Sequence, residues 1–125
     1  MLTKIKAVKI DPTARTVTDV EIGKGLAATC AAIGCRTVTR VVLDDQNDLW
    51  LDDDGLLHNP QPEKFQIGDY PQPLAGIGLV CGYDEEGNTT SATVCADQVR
   101  PLVQWKGAVH VEPEVIFMSW DSLQA

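Results

Sequence analysis

The stretch TVTRVVLDDQNDLWLDDDG, residues 37–55, alternates strand-forming and turn-forming residues. Its first part, TVTRVVL, is mostly β-branched, which predicts a strand because branched side chains pack well on a pleated sheet. DDQND at 44–48 predicts a turn, since Asp and Asn side chains hydrogen-bond to their own backbone. LWL at 49–51 predicts a second strand, with Trp50 on the face opposite to both leucines.

A second turn, DDDG at 52–55, ends that strand, and its glycine is free to take a positive φ. The acidic residues also resemble a calcium loop. However, an EF-hand register that starts at Asp52 places Leu57 where glycine is needed. We therefore interpret the aspartates as turn formers that make one face acidic, and we predict no metal site. Asp52, Asp53 and Asp54 are the candidate binding residues of that face.

The hydrophobic period changes outside this stretch. The alanine-rich segment 24–34 predicts the main helix, because Leu26, Cys30 and Ile33 form one apolar stripe. Gly34 suits the left-handed residue that ends a helix. The other predicted elements are a hairpin over 4–22, a hairpin over 77–94, a short helix over 96–100, and strands at 102–105 and 114–120.

Residues 58–76 contain four prolines, which cannot donate to a sheet ladder, so we predict an irregular proline-rich loop. Phe65 and Tyr70 anchor this loop and are candidate ligand-binding residues. Gly76 and Gly78 lack the strand-then-helix setting of a dinucleotide-binding fingerprint. We interpret them as a turn and a close approach between strands. Together these elements predict a single α+β domain over residues 1–125, with a mainly antiparallel sheet.

Charge is distributed unevenly along the chain. The net charge of −8 divides into +4 for residues 1–40 and −10 for residues 41–100. An acidic middle opposes direct binding to nucleic acids and membranes, because both are anionic. No signal peptide or membrane-spanning run is seen, which predicts a cytoplasmic protein.

Residues that often carry catalysis have ordinary structural interpretations here. No serine or cysteine has the setting of an activated nucleophile, so we predict no enzyme, no catalytic residue and no cofactor. We predict a turn cap for His58 and a solvent-facing strand position for His110. The four cysteines, Cys30, Cys35, Cys81 and Cys95, are predicted core thiols. Trp50 and Trp105 are predicted core or half-core anchors, and for Trp120 a core position is favoured over an interface position.

The order of these segments resembles a known family. IDPTARTVTDVEI, the alanine-rich helix, LWLDDDGLL, PLAGIGLVCGYDEEG and TTSATV are similar to segments of the phage- and plasmid-borne domain-of-unknown-function family 3846, over roughly residues 4–95. The resemblance implies an accessory protein of a mobile element or of its bacterial host. It implies no catalytic residues.

We therefore predict a non-enzymatic module that binds another protein through its acidic surface. One alternative is a small-ligand-binding protein, with nucleotides among the ligands, that uses a pocket under the 58–76 loop. A second alternative is an acidic inhibitor that mimics DNA. Free strand edges also leave a homodimer open. Neutralising Asp52, Asp53 and Asp54 weakens partner binding in the first case, whereas Phe65 and Tyr70 matter in the ligand case.

Overall fold

The computed structural model describes residues 4–23, 25–58 and 60–111. Within them the chain forms two α-helices and nine strands. The helices are α1 (Leu26–Ile33) and α2 (Ala96–Val99). The strands are β1 (Lys4–Asp11), β2 (Thr16–Gly23), β3 (Val38–Val42), β4 (Asn47–Asp52), β5 (Lys64–Ile67), β6 (Leu74–Ala75), β7 (Gly78–Tyr83), β8 (Thr89–Thr90) and β9 (Val103–Gly107). Two 3-10 helices lie at Gly55–Leu57 and Arg100–Leu102.

The strands form two sheets. The larger sheet has the order β2-β1-β7-β4-β3, with β8 paired to β7, and the smaller has the order β6-β5-β9. Every strand pair in the described part of the chain is antiparallel. The α+β fold with a mainly antiparallel sheet is therefore confirmed, and so are the main helix and the short second helix.

Both faces of the larger sheet are covered. In strand β4, for example, Leu49 and Leu51 lie in one buried cluster on one face, and Trp50 packs against a second cluster on the opposite face. The first cluster joins the larger sheet to Phe65 of the smaller sheet and to Val99 of α2. The second cluster lies under α1. The described residues therefore stack as α1, the larger sheet, and then the smaller sheet with α2.

Helix α1 ends as its sequence predicts. Gly34 takes φ of 82°, in the left-handed region that favours glycine. Its N–H and that of Cys35 both donate to the carbonyl oxygen of Cys30, at 2.8 and 3.1 Å. Ile33 of the predicted stripe is buried against the sheet.

The segment 58–76 is less irregular than we predicted. Strands β5 and β6 lie within it and form the smaller sheet with β9. All four prolines stand outside these strands, which leaves the run KFQI free to donate to a ladder. The prediction of an irregular loop is wrong for Lys64–Ile67 and Leu74–Ala75.

The hairpin predicted over 77–94 is shorter than expected. Of the predicted second strand, residues 89–94, only Thr89 and Thr90 pair with β7, because the chain then turns away to other partners. Ala92 donates its N–H to the carbonyl oxygen of Lys6 at 2.8 Å instead. The strand predicted at 102–105 corresponds to β9. The predicted strand at 114–120 and the core position of Trp120 lie outside the described residues.

Two glycines of β7 allow close packing, as we predicted for Gly78. A Cβ atom at Gly78 would lie 2.8 Å from Cζ of Phe65 and 3.0 Å from Cδ1 of Leu49. A Cβ atom at Gly82 would overlap the backbone carbonyl oxygen of Ser91. Side chains at these positions would push apart the two sheets or the β7–β8 hairpin.

The predicted core thiols differ in their exposure to solvent. Cys81 is fully buried, whereas Cys30 and Cys35 are half-buried and Cys95 is exposed. The prediction is wrong for Cys95, which precedes α2 at the surface. Trp50 and Trp105 are half-buried against the two clusters. His110 is exposed but follows β9 rather than lying in a strand.

Candidate functional site

The candidate site is built around β3, the last strand of the larger sheet. The turn before β4 is held by the carboxylate of Asp44, whose Oδ1 accepts the backbone N–H groups of Gln46 and Asn47, each at 2.8 Å. This is the local bonding that the DDQND pattern predicts. Asp45 stands exposed beside it. One end of β3 therefore carries two carboxylates.

Asn47 ties this turn to a distant segment. Its Nδ2 donates to Oγ1 of Thr93 at 2.7 Å, and its Oδ1 accepts the Thr93 N–H at 2.9 Å. Nδ2 also donates to Oδ1 of Asp44 at 3.1 Å. Asn47 is buried, so these bonds satisfy an amide that water cannot reach. Sequence reasoning missed this residue, because an Asn in a turn gives no signal of a partner elsewhere in the chain.

The other end of β3 meets the second acidic turn, since Val38 pairs with Asp52. Asp52 has a structural role: its Oδ1 accepts the N–H of Asp54 at 2.9 Å, and its Oδ2 lies 2.8 Å from Nε2 of His58. This contact fits the turn-capping role predicted for His58. Asp53 is exposed and Asp54 is half-buried. The three predicted aspartates are therefore together, but Asp53 and Asp54 are better placed to meet a partner than Asp52.

A cation lies between the two acidic turns. Nη1 of Arg40, in the middle of β3, lies 3.4 Å from Oδ2 of buried Asp48. The guanidinium carbon also lies 5.7 Å from the ring centroid of Trp50. Burial raises the pKa of the Asp48 carboxyl, and the charge of Arg40 partly opposes that rise. Arg40 is thus held on one face of the sheet by an acid and a ring.

The outer edge of β3 is free in the part of the chain that the structure describes. There β3 pairs with β4 alone. Residues 36–58 hold two arginines against six aspartates, so the edge lies in an acidic region. Val42 at its end is 70% exposed. A strand edge presents unpaired N–H and C=O groups, which can bond to another extended segment.

A groove opens beside the Val42 end of β3. We name it the Tyr70 groove, and its volume is about 490 Å³. The residues that matter for its chemistry are Val42, Leu43, Asp44, Tyr70, Gln98 and Leu102. Leu102 is 49% exposed at its rim. The groove combines an apolar floor with a carboxylate at one side.

The two aromatic residues predicted for the 58–76 segment have different positions. Tyr70 lines the Tyr70 groove. Phe65 is fully buried, with its ring packed beneath Gly78 in the first core cluster. Tyr70 can therefore contact a bound molecule directly, whereas Phe65 supports the structure behind it. Gly78, which the sequence analysis interprets as a close approach between strands, lies in the same core contact.

Lys64 is a second buried polar residue that sequence reasoning missed. It is 1% exposed, and its Nζ donates to the carbonyl oxygen of Pro62 at 2.8 Å. Burial lowers the pKa of this ammonium, because a charge is costly away from water. Lys64 is next to Phe65 in β5, and successive side chains of a strand point to opposite faces. This alternation alone predicts that Lys64 faces solvent.

The described residues form neither a metal site nor a membrane-spanning helix. Among these residues, no three His, Cys, Asp or Glu side chains come together in a way that could hold a metal ion. No helix in this part of the chain is long and apolar enough to cross a bilayer.

Comparison with known proteins places the chain in a family. A family model described as "Domain of unknown function (DUF3846)" matches residues 5–103. The "Uncharacterized protein y4iR" of Sinorhizobium fredii (strain NBRC 101917 / NGR234) is 38% identical over 81 residues, which cover 62% of this chain and 49% of that relative. The chain thus spans about half the length of this curated relative. No solved structure matches it. The resemblance drawn from the strands and acidic turns is confirmed.

Proposed function

The chain belongs to the DUF3846 family, whose function is unknown, and we propose that it is a non-enzymatic module that binds a partner protein along the free edge of β3. The partner supplies an extended segment that adds to the sheet beside Val38–Val42. This mode of recognition draws affinity from backbone hydrogen bonds and specificity from the side chains beside them. The observation that carries the proposal is a strand edge that has no partner among the described residues, with an acidic turn at each end.

Charge defines the class of partner. Asp44 and Asp45 stand at one end of the edge, and Asp53 and Asp54 at the other. Because the single cation of β3, Arg40, is already bonded to Asp48, it does little to neutralise these turns. A segment with Lys or Arg at both ends and β-branched residues between them is complementary to this surface. Such charges chiefly raise the rate of association and select the partner.

The Tyr70 groove adds an anchoring position. It begins at Val42, where β3 ends, so an added strand would run toward it. A bulky apolar side chain one or two residues beyond the paired segment would cover Leu102 and the ring of Tyr70. Interfaces draw most of their affinity from a few such anchors in apolar pockets. We therefore expect the preferred segment to combine basic, β-branched and aromatic residues.

The test is a selection of random displayed peptides against the full chain, followed by calorimetry and NMR with synthetic copies of the peptides selected. We expect enrichment in Lys, Arg and β-branched residues. Binding should perturb the backbone amides of residues 38–42. Replacing Asp53→Asn together with Asp54→Asn should weaken binding about tenfold, since two rim charges are lost.

A matched control removes two charges elsewhere. Glu21 lies on β2 at the opposite edge of the sheet, and Asp97 lies on α2, and both are exposed. Glu21→Gln with Asp97→Asn should leave binding unchanged. If both pairs of substitutions weakened peptide binding equally, the effect would be one of net charge and would contradict the proposed site. Amide changes that avoid β3 would do the same.

A small-ligand role is the second candidate, and the volume of the Tyr70 groove favours it. About 490 Å³ falls within the usual range of ligand pockets, roughly 300–1,000 Å³. Native mass spectrometry of gently purified protein tests this role. A small mass that is lost on denaturation, and that Tyr70→Ala removes, would replace the protein-binding proposal. A mass equal to that of the polypeptide alone, together with peptide binding at β3, would support the first proposal.

We also propose a cytoplasmic location in a bacterium, either as the product of a mobile element or as a protein of its host, as the family resemblance implies. The cysteines of the described residues are free thiols, and the cytosol keeps thiols reduced. Fractionation of the native host, with detection of the full chain, tests this location. Recovery from the periplasm or from the medium would overturn it.

A further inference from the structure

Two cysteines meet at the end of α1. The left-handed Gly34 closes this helix, and the N–H of Cys35 reaches back to the carbonyl oxygen of Cys30 at 3.1 Å. In helix endings of this kind, the residue after the glycine contacts the residue four positions before the glycine. Here both members of that contacting pair are cysteines.

The side chains agree with the backbone. The Cys30 side chain lies near enough to Cys35 to help raise the pKa of the Cys35 thiol, and Sγ of Cys30 donates to the carbonyl oxygen of Arg36 at 3.6 Å. Both residues are half-buried, so small reagents can reach them. The other two thiols are placed differently, since Cys81 is sealed in the core and Cys95 precedes α2.

We propose that Cys30 and Cys35 are a redox site that forms a reversible intramolecular disulfide on reaction with a peroxide. The sulfur of Cys30 attacks one peroxide oxygen, which breaks the O–O bond and gives a sulfenic acid and water. The sulfur of Cys35 then attacks the sulfur of Cys30 and expels a second water. Two thiols lose two electrons and two protons in all, and hydrogen peroxide is reduced to two molecules of water.

The surroundings assign the order of attack. Burial, followed by the carboxylate of Asp52 and then by Cys30, raises the pKa of Cys35 to about 11. Cys35 is therefore a poor nucleophile toward a free peroxide at neutral pH, so it takes the second step, in which its proton leaves with the hydroxyl of the sulfenic acid as water. Burial also raises the pKa of Cys81 to about 12. That thiol is fully buried and should not react.

The sequence makes the product easy to identify. Trypsin cuts after Lys24 and after Arg36, so both thiols fall within one peptide, GLAATCAAIGCR, residues 25–36. The folded full chain is treated with hydrogen peroxide, free thiols are blocked with iodoacetamide, and the chain is digested without reductant. A disulfide leaves this peptide unalkylated and about 2 Da lighter. Two alkyl groups mark a peptide that did not react.

We expect most of the peptide to lose its two hydrogens and to regain both alkylation sites after treatment with dithiothreitol. Cys95→Ser is the matched control and should behave like the wild type, because Cys95 lies outside the pair. Cys35→Ser should instead leave a sulfenic acid on Cys30, detectable with dimedone. A small dithiol in the same tube confirms that the oxidant was sufficient.

Two results would overturn the proposal. One is a peptide that keeps both alkyl groups after the added dithiol is fully oxidised. The other is a cross-link of Cys30 or Cys35 to Cys95 or to a second chain in place of the internal bond. Because the digest reads the wild-type chain, neither result depends on whether a variant folds.

Discussion

Asn47 and Thr93 hold each other through two hydrogen bonds, although 46 positions separate them in the chain. The pair connects the turn that opens β4 to the segment that leads into α2. Asn47 donates and accepts in this contact while it is buried. The Asn47 amide therefore links two segments of the surface around β3 by hydrogen bonds.

We expect Asn47→Ala to lower the free energy of unfolding by about 2–3 kcal/mol, because it removes several bonds and leaves buried groups unpaired. Thr93→Val is the milder control, since its backbone N–H can still donate to Asn47. That change should cost about 1 kcal/mol. Urea denaturation measures both. Equal costs for the two variants would show that the side-chain amide has no special role.

The glycines of β7 allow a graded test of close packing. A Cβ atom at Gly82 meets backbone, which cannot move easily, whereas one at Gly78 meets the ring of Phe65 and a leucine methyl group. We expect Gly82→Ala to cost about 3 kcal/mol and Gly78→Ala to cost less, about 1–2 kcal/mol. In a Phe65→Leu background the cost of Gly78→Ala should shrink. A double-mutant cycle detects this coupling, and additive costs would argue against the contact.

The β1–β2 turn contains a residue in an unfavourable conformation. Arg15 has φ of 57°, in the left-handed region, and no other non-glycine residue does so in the described ranges. Arg15→Gly should raise the free energy of unfolding by about 0.5 kcal/mol, because relief of this cost slightly exceeds the added freedom of the unfolded chain. Ala14→Gly, one position earlier, should lower it. Thermal melts of the two variants should shift in opposite directions.

The raised pKa of Asp48 predicts that the stability of the fold depends on pH. Its pKa is raised in the folded state, chiefly by burial, so the folded protein holds this proton more tightly than the unfolded chain does. The contribution of Asp48 to the free energy of unfolding therefore falls as pH rises through the usual range of an aspartate and up to its raised pKa. Asp48→Asn lacks this titration.

The difference between wild type and Asp48→Asn should consequently shift in favour of the Asn variant as pH rises from about 3 to neutrality. Urea melts across that range measure the shift. The exposed Asp45→Asn serves as the control, since its side chain lies in solvent. A difference for Asp48→Asn that stays constant with pH would contradict the raised pKa.

Local sequence patterns were sufficient to predict much of the fold. The β1–β2 hairpin, the opposite faces of Trp50 and its flanking leucines, and the end of α1 at Gly34 follow from periods and turn residues within a few positions. The aspartates were correctly placed in turns for the same reason. Each of these features depends on neighbours in the chain.

The features that could not be predicted from the sequence depend on contacts between residues that are far apart in the chain. The prolines of 58–76 obscured the strand KFQI, whose pairing with β9 involves residues about forty positions away. Phe65 and Tyr70 looked equivalent in sequence, yet the ring of Phe65 fills the space left by Gly78. Nothing in the residues around Asn47 points to Thr93. Such contacts appear only once the sheet order is known.

That sheet order also limits how the chain can fold while it is being synthesised. The hairpin of β1 and β2 and the hairpin of β3 and β4 are each complete early, but they do not pair with each other. Strand β7 lies between them, so the larger sheet cannot close until Gly78–Tyr83 has left the ribosome. Until then two separate hairpins expose apolar faces on the nascent chain, a situation in which chaperone binding or early aggregation competes with folding.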